Sequence, residues 1–149
     1  MVSMNGQAIR FSEKDCRPMG RTTRGVKGMR LVKSDYVLAM IVAKDILGDL
    51  FILTENGFAK RTTLSDYNRQ KRGGSGVKTV NITEKKGKVA GAGILKDEHD
   101  VIIITTNGIL IRIPAKSINR TKRNTQGVKV IRVSEGNYVA SYSIAYPED

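Results

Sequence analysis

One segment recurs three times in this chain without a gap, and it constrains the fold more than any other feature. The copies read NGQAIRFSEKDCRPMGRTTRGVKGMRL from Asn5, NGFAKRTTLSDYNRQKRGGSGVKTVNI from Asn56 and NGILIRIPAKSINRTKRNTQGVKVIRV from Asn107, at a constant offset of 51 residues. Asn-Gly opens each copy, an arginine follows at Arg10, Arg61 and Arg112, and each then reaches Gly-Val-Lys at Gly25, Gly76 and Gly127. A fixed period of this length marks an array of like structural units, each burying its apolar face against its neighbours.

Inside one period the pattern is that of strands. DVIIITTNGILIRIP sets two β-branched runs on either side of Asn-Gly, a hairpin signal that predicts positive φ at both turn positions. KTVNITEKKGKVAGAGIL and GVKVIRVSEGNYVASYSIA each read as two further alternating runs around a turn, and no sustained helical periodicity interrupts them. The expectation is an all-β, propeller-like array of four-stranded blades, with repeats at about 1–49, 50–100 and 101–149. By the 51-residue offset Met1 corresponds to Ile52, and Asp149 to Glu98, so about three blades of a longer array are expected.

Charge follows the same period. The formal net charge is +12, with a pI near 10.0. Within the windows 17–30, 68–81 and 119–132 lie 14 of the 26 Lys and Arg residues and none of the 14 acids. These are Arg17, Arg21, Arg24, Lys27 and Arg30 in the first copy; Arg69, Lys71, Arg72 and Lys78 in the second; and Arg120, Lys122, Arg123, Lys129 and Arg132 in the third. A solubility device would be spread over the surface, whereas an acid-free strip repeated in every blade reads as a track for a polyanion. Lysine and arginine neutralise phosphates with little sequence readout, and glycines such as Gly73, Gly74 and Gly76 allow close backbone approach and free amides. With no Phe, Tyr or Trp in the windows to stack bare bases, duplex backbone is favoured over single strands.

Other classes find less support. Cys16 is the single cysteine, which excludes an internal disulfide and fits a reducing cytoplasm. His99 has no metal-ligand spacing, and ITEKKGKVAG lacks the spacing of a P-loop. No apolar run approaches the ~18 residues needed to cross a bilayer, and no amphipathic helix or signal peptide is visible. Arg10, Arg61 and Arg112, just after the turns, read equally as solvent-facing strand residues and as DNA contacts.

The segment QKRGGSG, Gln70 to Gly76, resembles the glutamine-arginine-arginine-glycine-glycine box of the C-terminal domain of the DNA gyrase A subunit, and all three repeats resemble its blades. Gln70, Arg72, Gly73, Gly74 and Gly76 match the box, and Lys71 replaces an arginine with its charge kept. The resemblance implies a β-pinwheel, in which neighbouring blades exchange strands and duplex DNA wraps around a basic outer edge. It implies a non-catalytic module whose ATP and Mg lie elsewhere in the holoenzyme. The implied partners are double-stranded DNA, the remainder of gyrase A, and gyrase B, in a bacterial cytoplasm and with no membrane role. That family's cleavage tyrosine follows an arginine, and none of Tyr36, Tyr67, Tyr138, Tyr142 or Tyr146 does. The alternatives are the related bending domain of topoisomerase IV, whose box is typically degenerate, and a propeller that binds proteins. The family's domain has about six blades with its box usually in the first, whereas here the box lies in the middle copy.

Overall fold

The computed structural model describes residues 1–44 and 46–147; Asp45, and Glu148 and Asp149 at the end of the expected third repeat, lie outside the described residues. Eleven strands run through the described residues: β1 (Val2–Ser3), β2 (Gln7–Ala8), β3 (Val37–Ala39), β4 (Asp49–Thr54), β5 (Phe58–Thr63), β6 (Val77–Lys78), β7 (Val89–Leu95), β8 (Asp100–Thr105), β9 (Leu110–Pro114), β10 (Val128–Lys129) and β11 (Val139–Ala145). They form three antiparallel sheets in the orders β3-β1-β2-β6, β10-β5-β4-β7 and β11-β8-β9.

The sheets are not confined to single repeats. Strand β6 belongs to the second copy but completes the first sheet, pairing Val77 with Ala8 and Lys78 with Gln7. Likewise β10, from the third copy, pairs Val128 with Ala59 and Lys129 with Phe58 in the second sheet. Each of these strands is only two residues long. It crosses to the preceding blade instead of folding back on the run that follows it in sequence, so a blade corresponds to one repeat only in part.

The Asn-Gly hairpins form at all three predicted places with a different turn. Glycine alone takes positive φ, at 83° for Gly6 and 82° for Gly57 and Gly108, while the asparagines do not. Gly57 N–H donates to Thr54 O, as Gly6 does to Ser3 O and Gly108 to Thr105 O, closing a three-residue loop. A left-handed glycine at the end of such a loop re-enters the strand through a bulge, so no residue with a Cβ has to take the strained conformation. The hydroxyls of Ser3, Thr54 and Thr105 accept from the amides four residues on, at 3.2, 3.2 and 3.1 Å.

Two apolar cores fill the seams between blades. The first joins Val2 and Ala8 to Leu50, Ile52, Leu64, Tyr67, Val80, Val89 and Ala92. The second joins Phe51, Leu53 and Ala59 to Val101, Ile103, Ala115, Ile118, Ile131 and Val139. Strand β4 is therefore buried on both faces, whereas β8, at the same place in the repeat, is fully buried only at alternate residues. Gly91 in β7 makes room for the Tyr142 ring, which a Cβ would meet at 2.4 Å. The Tyr142 hydroxyl donates to Ala92 O at 2.5 Å.

Candidate nucleic-acid interface

Each basic segment begins at a one-turn 3-10 helix, at Glu13–Asp15, Leu64–Asp66 and Ala115–Ser117, again 51 residues apart. From there the chain loops to the crossing strand. In the second and third copies the loop is tied to the preceding blade at its start. Gln70 N–H donates to Arg10 O at 2.8 Å, and Thr121 N–H to Arg61 O at 2.8 Å.

The post-turn arginines are clasps of these seams. Arg10 Nη1 donates to the carbonyls of Leu64 and Tyr67 at 3.0 and 3.1 Å. Arg61 Nε donates to Ile118 O at 2.7 Å and is buried, its guanidinium also pairing with Asp49 and Asp97. Arg112 pairs with Asp100 at 2.7 Å. Both sequence readings of these arginines, solvent-facing residue and DNA contact, therefore give way to a structural role at the first two positions. The twelve-residue Asp49–Arg61 and Asp100–Arg112 spacing was the available signal, since it recurs on paired strands.

The box is also part of a seam. Gly73 N–H donates to Gly28 O, and Gly74 O accepts from Arg30 N–H, both at 2.8 Å. The expectation that the box glycines leave their amides free is thus corrected at Gly73, whose amide closes a backbone bridge between copies. Arg72 donates through Nε to Asp15 O at 3.1 Å and through Nη1 to Lys27 O, so its guanidinium is engaged on the protein. A Cβ on Gly76 would lie 2.4 Å from Ala8 O, and on Gly127 2.6 Å from Ala59 O, which is why the crossing strands start with glycine.

The remaining predicted cations divide into two groups. Arg120 is drawn to Asp49 at 2.8 Å and to Asp97 at 3.6 Å; the hydrogen bond to Asp49 raises its pKa, while that from Arg61 lowers the Asp97 carboxyl. Lys122 approaches Asp66 at 3.4 Å, and Lys129 lies 5.4 Å from the centre of the Phe58 ring. Arg17, Arg21, Arg24, Arg30, Arg69, Lys71, Lys78 and Arg132 are exposed, and their side chains have no ion-pair partner among the described residues. Lys27 is exposed as well, its carbonyl but not its ammonium being used by Arg72. Gln70 and Arg123 are half-buried. The structure thus keeps exposed basic residues in every copy, ties the half-buried Arg72 to backbone carbonyls, and pairs the exposed Arg120 with Asp49 and Asp97.

Sequence reasoning did not single out Lys60. It stands where the other copies have Ile9 and Ile111, is 1% exposed, and donates to the carbonyls of Thr79, Lys122 and Arg123. It anchors the third basic loop from beneath. Burial, then the charges of Lys86 and Arg123, push its pKa down to about 8. His99 is buried, with Nδ1 accepting from Lys96 N–H and its ring against Tyr146, and no cluster among the described residues could hold a metal. Cys16 is an exposed free thiol, and among the described residues no helix is long and apolar enough to cross a membrane.

Strands exchanged between four-stranded blades, with a cationic loop at each exchange, define a propeller-like repeat protein of the pinwheel kind. A family model described as "DNA gyrase C-terminal domain, beta-propeller" matches residues 1–44, 48–96 and 99–141, and the chain belongs to that family. It is 38% identical over 142 residues to the DNA gyrase A protein of Staphylococcus epidermidis, covering 95% of this chain and 16% of that protein. With the DNA gyrase A protein of Mycolicibacterium smegmatis the identity is 39%, over 100% of this chain and 18% of the relative. The chain thus spans less than a fifth of the length of these relatives. Among solved structures, a DNA gyrase A C-terminal domain superposes with a TM-score of 0.88 at 26% identity, over 97% of this chain and 49% of that one. The C-terminal domain of a DNA topoisomerase IV superposes with a TM-score of 0.89 at 23% identity, over 96% and 45%, a likeness of fold.

Proposed function

We propose that this chain is a non-catalytic module that binds duplex DNA along its phosphate backbone and bends it across successive blades. The observation that carries the reading is the acid-free basic segment at the same place in every copy, still holding exposed, unpaired Arg and Lys side chains after folding. Backbone contacts of this kind need no base readout, and bending a site by ~40–90° costs on the order of 1–6 kcal/mol, which many phosphate contacts offset. The intact box at Gln70–Gly76 supports the gyrase form of the role, in which the bend is a chiral wrap feeding negative supercoiling. In that role the chain works with the remainder of gyrase A and with gyrase B in the bacterial cytoplasm, and ATP and Mg act elsewhere in the complex.

Binding to relaxed circular duplex across a salt series, followed by relaxation with a type I topoisomerase, tests this directly. A steep salt slope with a shift in linking number supports chiral wrapping. A steep slope without a shift supports bending of the topoisomerase IV type. Binding indifferent to salt would sink the DNA reading and favour a protein-binding scaffold.

A further inference from the structure

The two seams inside the chain are closed by different chemistry at the same place. In the first, the box does the closing: Gly73 N–H donates to Gly28 O, Arg30 N–H to Gly74 O, and the Arg72 guanidinium to the carbonyls of Asp15 and Lys27. Ile9 packs against it, 3.5 Å from where a Cβ on Gly74 would stand. At the second seam the third copy has TKRNTQG, Thr121 to Gly127, in place of QKRGGSG. Asparagine and threonine replace the two glycines, and no backbone bridge joins Asn124 or Thr125 to Thr79 or Asn81 among the described residues. The Thr79 carbonyl, counterpart of Gly28 O, instead takes the ammonium of Lys60 at 2.8 Å, and that ammonium also holds the carbonyls of Lys122 and Arg123. One buried cation does for this loop what the box does for the other.

The exchange releases Arg123. Its counterpart Arg72 is engaged on two carbonyls, whereas the Arg123 guanidinium is half-buried with no hydrogen-bond or ion-pair partner among the described residues. It lines a hollow of about 350 Å³, with Ser65, Asp66 and Asn68 from the second copy and Lys122 and Asn124 from the third. Donors dominate the wall: a guanidinium, an ammonium, two amides and a hydroxyl. Asp66, its one acid, faces Lys122 at 3.4 Å, so the wall stays cationic. A guanidinium with its fork unfilled suits a tetrahedral oxyanion, which it holds by two parallel hydrogen bonds. The hollow lies between two consecutive basic segments, on the strip that a duplex would follow. Phosphates project from a duplex while base edges stay within its grooves, so a phosphate is the part that can enter.

We infer that Lys60 replaces the box at the second seam, and that Arg123, freed by that exchange, seats a backbone phosphate of duplex DNA in the hollow. The seat rests on the DNA reading and sharpens it. One phosphate is gripped by a fork at a fixed point, while the exposed cations around it attract the backbone without fixing its register. Lys60 touches no DNA and acts as a positioning residue, because its ammonium occupies the carbonyls that would otherwise draw the Arg123 side chain inward as Arg72 is drawn.

Salt-titrated gel shifts and thermal melting of the 149-residue chain test this, with binding measured at a temperature where every variant is folded. Arg123→Ala should weaken binding to duplexes of unrelated sequence by roughly tenfold and take about one unit off the salt slope, with melting unchanged. Arg123→Lys keeps the charge and loses the fork, so it should keep the slope without recovering the affinity. Lys60→Met should weaken binding as far as Arg123→Ala does, and the double variant no further than either single one. A melting loss in Arg123→Ala equal to that in Arg72→Ala would overturn the seat, since the guanidinium would then be held by the protein. Unchanged affinity, a loss confined to one duplex sequence, or additive losses in the double variant would overturn it too. In each of those cases salt-sensitive binding by the unmodified chain would leave the DNA reading standing, whereas its absence would overturn both.

Discussion

Lys60 shows how much one residue can depart from a repeat without breaking it. Isoleucine serves at the same place in the other copies, but here three loop carbonyls converge on a buried ammonium. Lys60→Ile should cost about 1–3 kcal/mol by leaving those carbonyls without a donor. With a pKa of about 8 in the folded chain against an ordinary 10.5, the unfolded state holds the proton more tightly. Stability therefore rises as pH climbs from about 8 towards 10.5, and the variant lacks that rise; the difference between their denaturation curves isolates Lys60. Asp49 is a second such point, since it faces both Arg61 and Arg120 while itself buried. Asp49→Asn should lower stability by about 1–3 kcal/mol, because Arg120 loses its nearest carboxylate while Arg61 keeps only Asp97. Arg72 and Arg21 separate two roles that look alike in sequence. Arg72→Ala should lower both the melting temperature and the affinity for DNA. Arg21→Ala should weaken binding to duplexes of unrelated sequence about equally and leave melting unchanged, as calorimetry and a salt-titrated gel shift would show.

At the scale of elements, the crossing strands are too short to be stable by themselves and depend on the glycine that starts them. Gly76→Ala would force a Cβ to 2.4 Å from Ala8 O at a left-handed φ, whereas Gly25→Ala meets only open space at the same φ. The left-handed conformation alone costs an alanine roughly 1–2 kcal/mol, so urea denaturation should show Gly76→Ala losing that and a further clash, and Gly25→Ala losing no more than that. Hairpins, repeat boundaries and the four runs per period were legible because they rest on local pattern and turn chemistry. The destination of the third run was not, because Val77 and Val128 pair with Ala8 and Ala59 across more than a full repeat. The 3-10 turns escaped the reading as well: three residues give no periodicity to detect.

For the molecule as a whole, the excess charge and the seams occupy the same segments. The loops that present cations are also what hold one blade to the next, so under the proposed function DNA affinity and blade cohesion are coupled wherever an arginine serves both. A module that makes about 6–10 phosphate contacts loses ~10³–10⁵ in affinity between 50 and 200 mM salt. A slope much shallower than this would mean that most of the exposed arginines stand off the duplex.

The amino-acid sequence by itself determined the period, the all-β class, the family and the confinement of positive charge to one segment per copy, since each is a matter of residue order. Only the tertiary structure decided which cations remain at the surface. Arg72 and Arg61 look like their neighbours in sequence, but the carbonyls of Lys27 and Ile118 come within reach of them only when one repeat packs against the next.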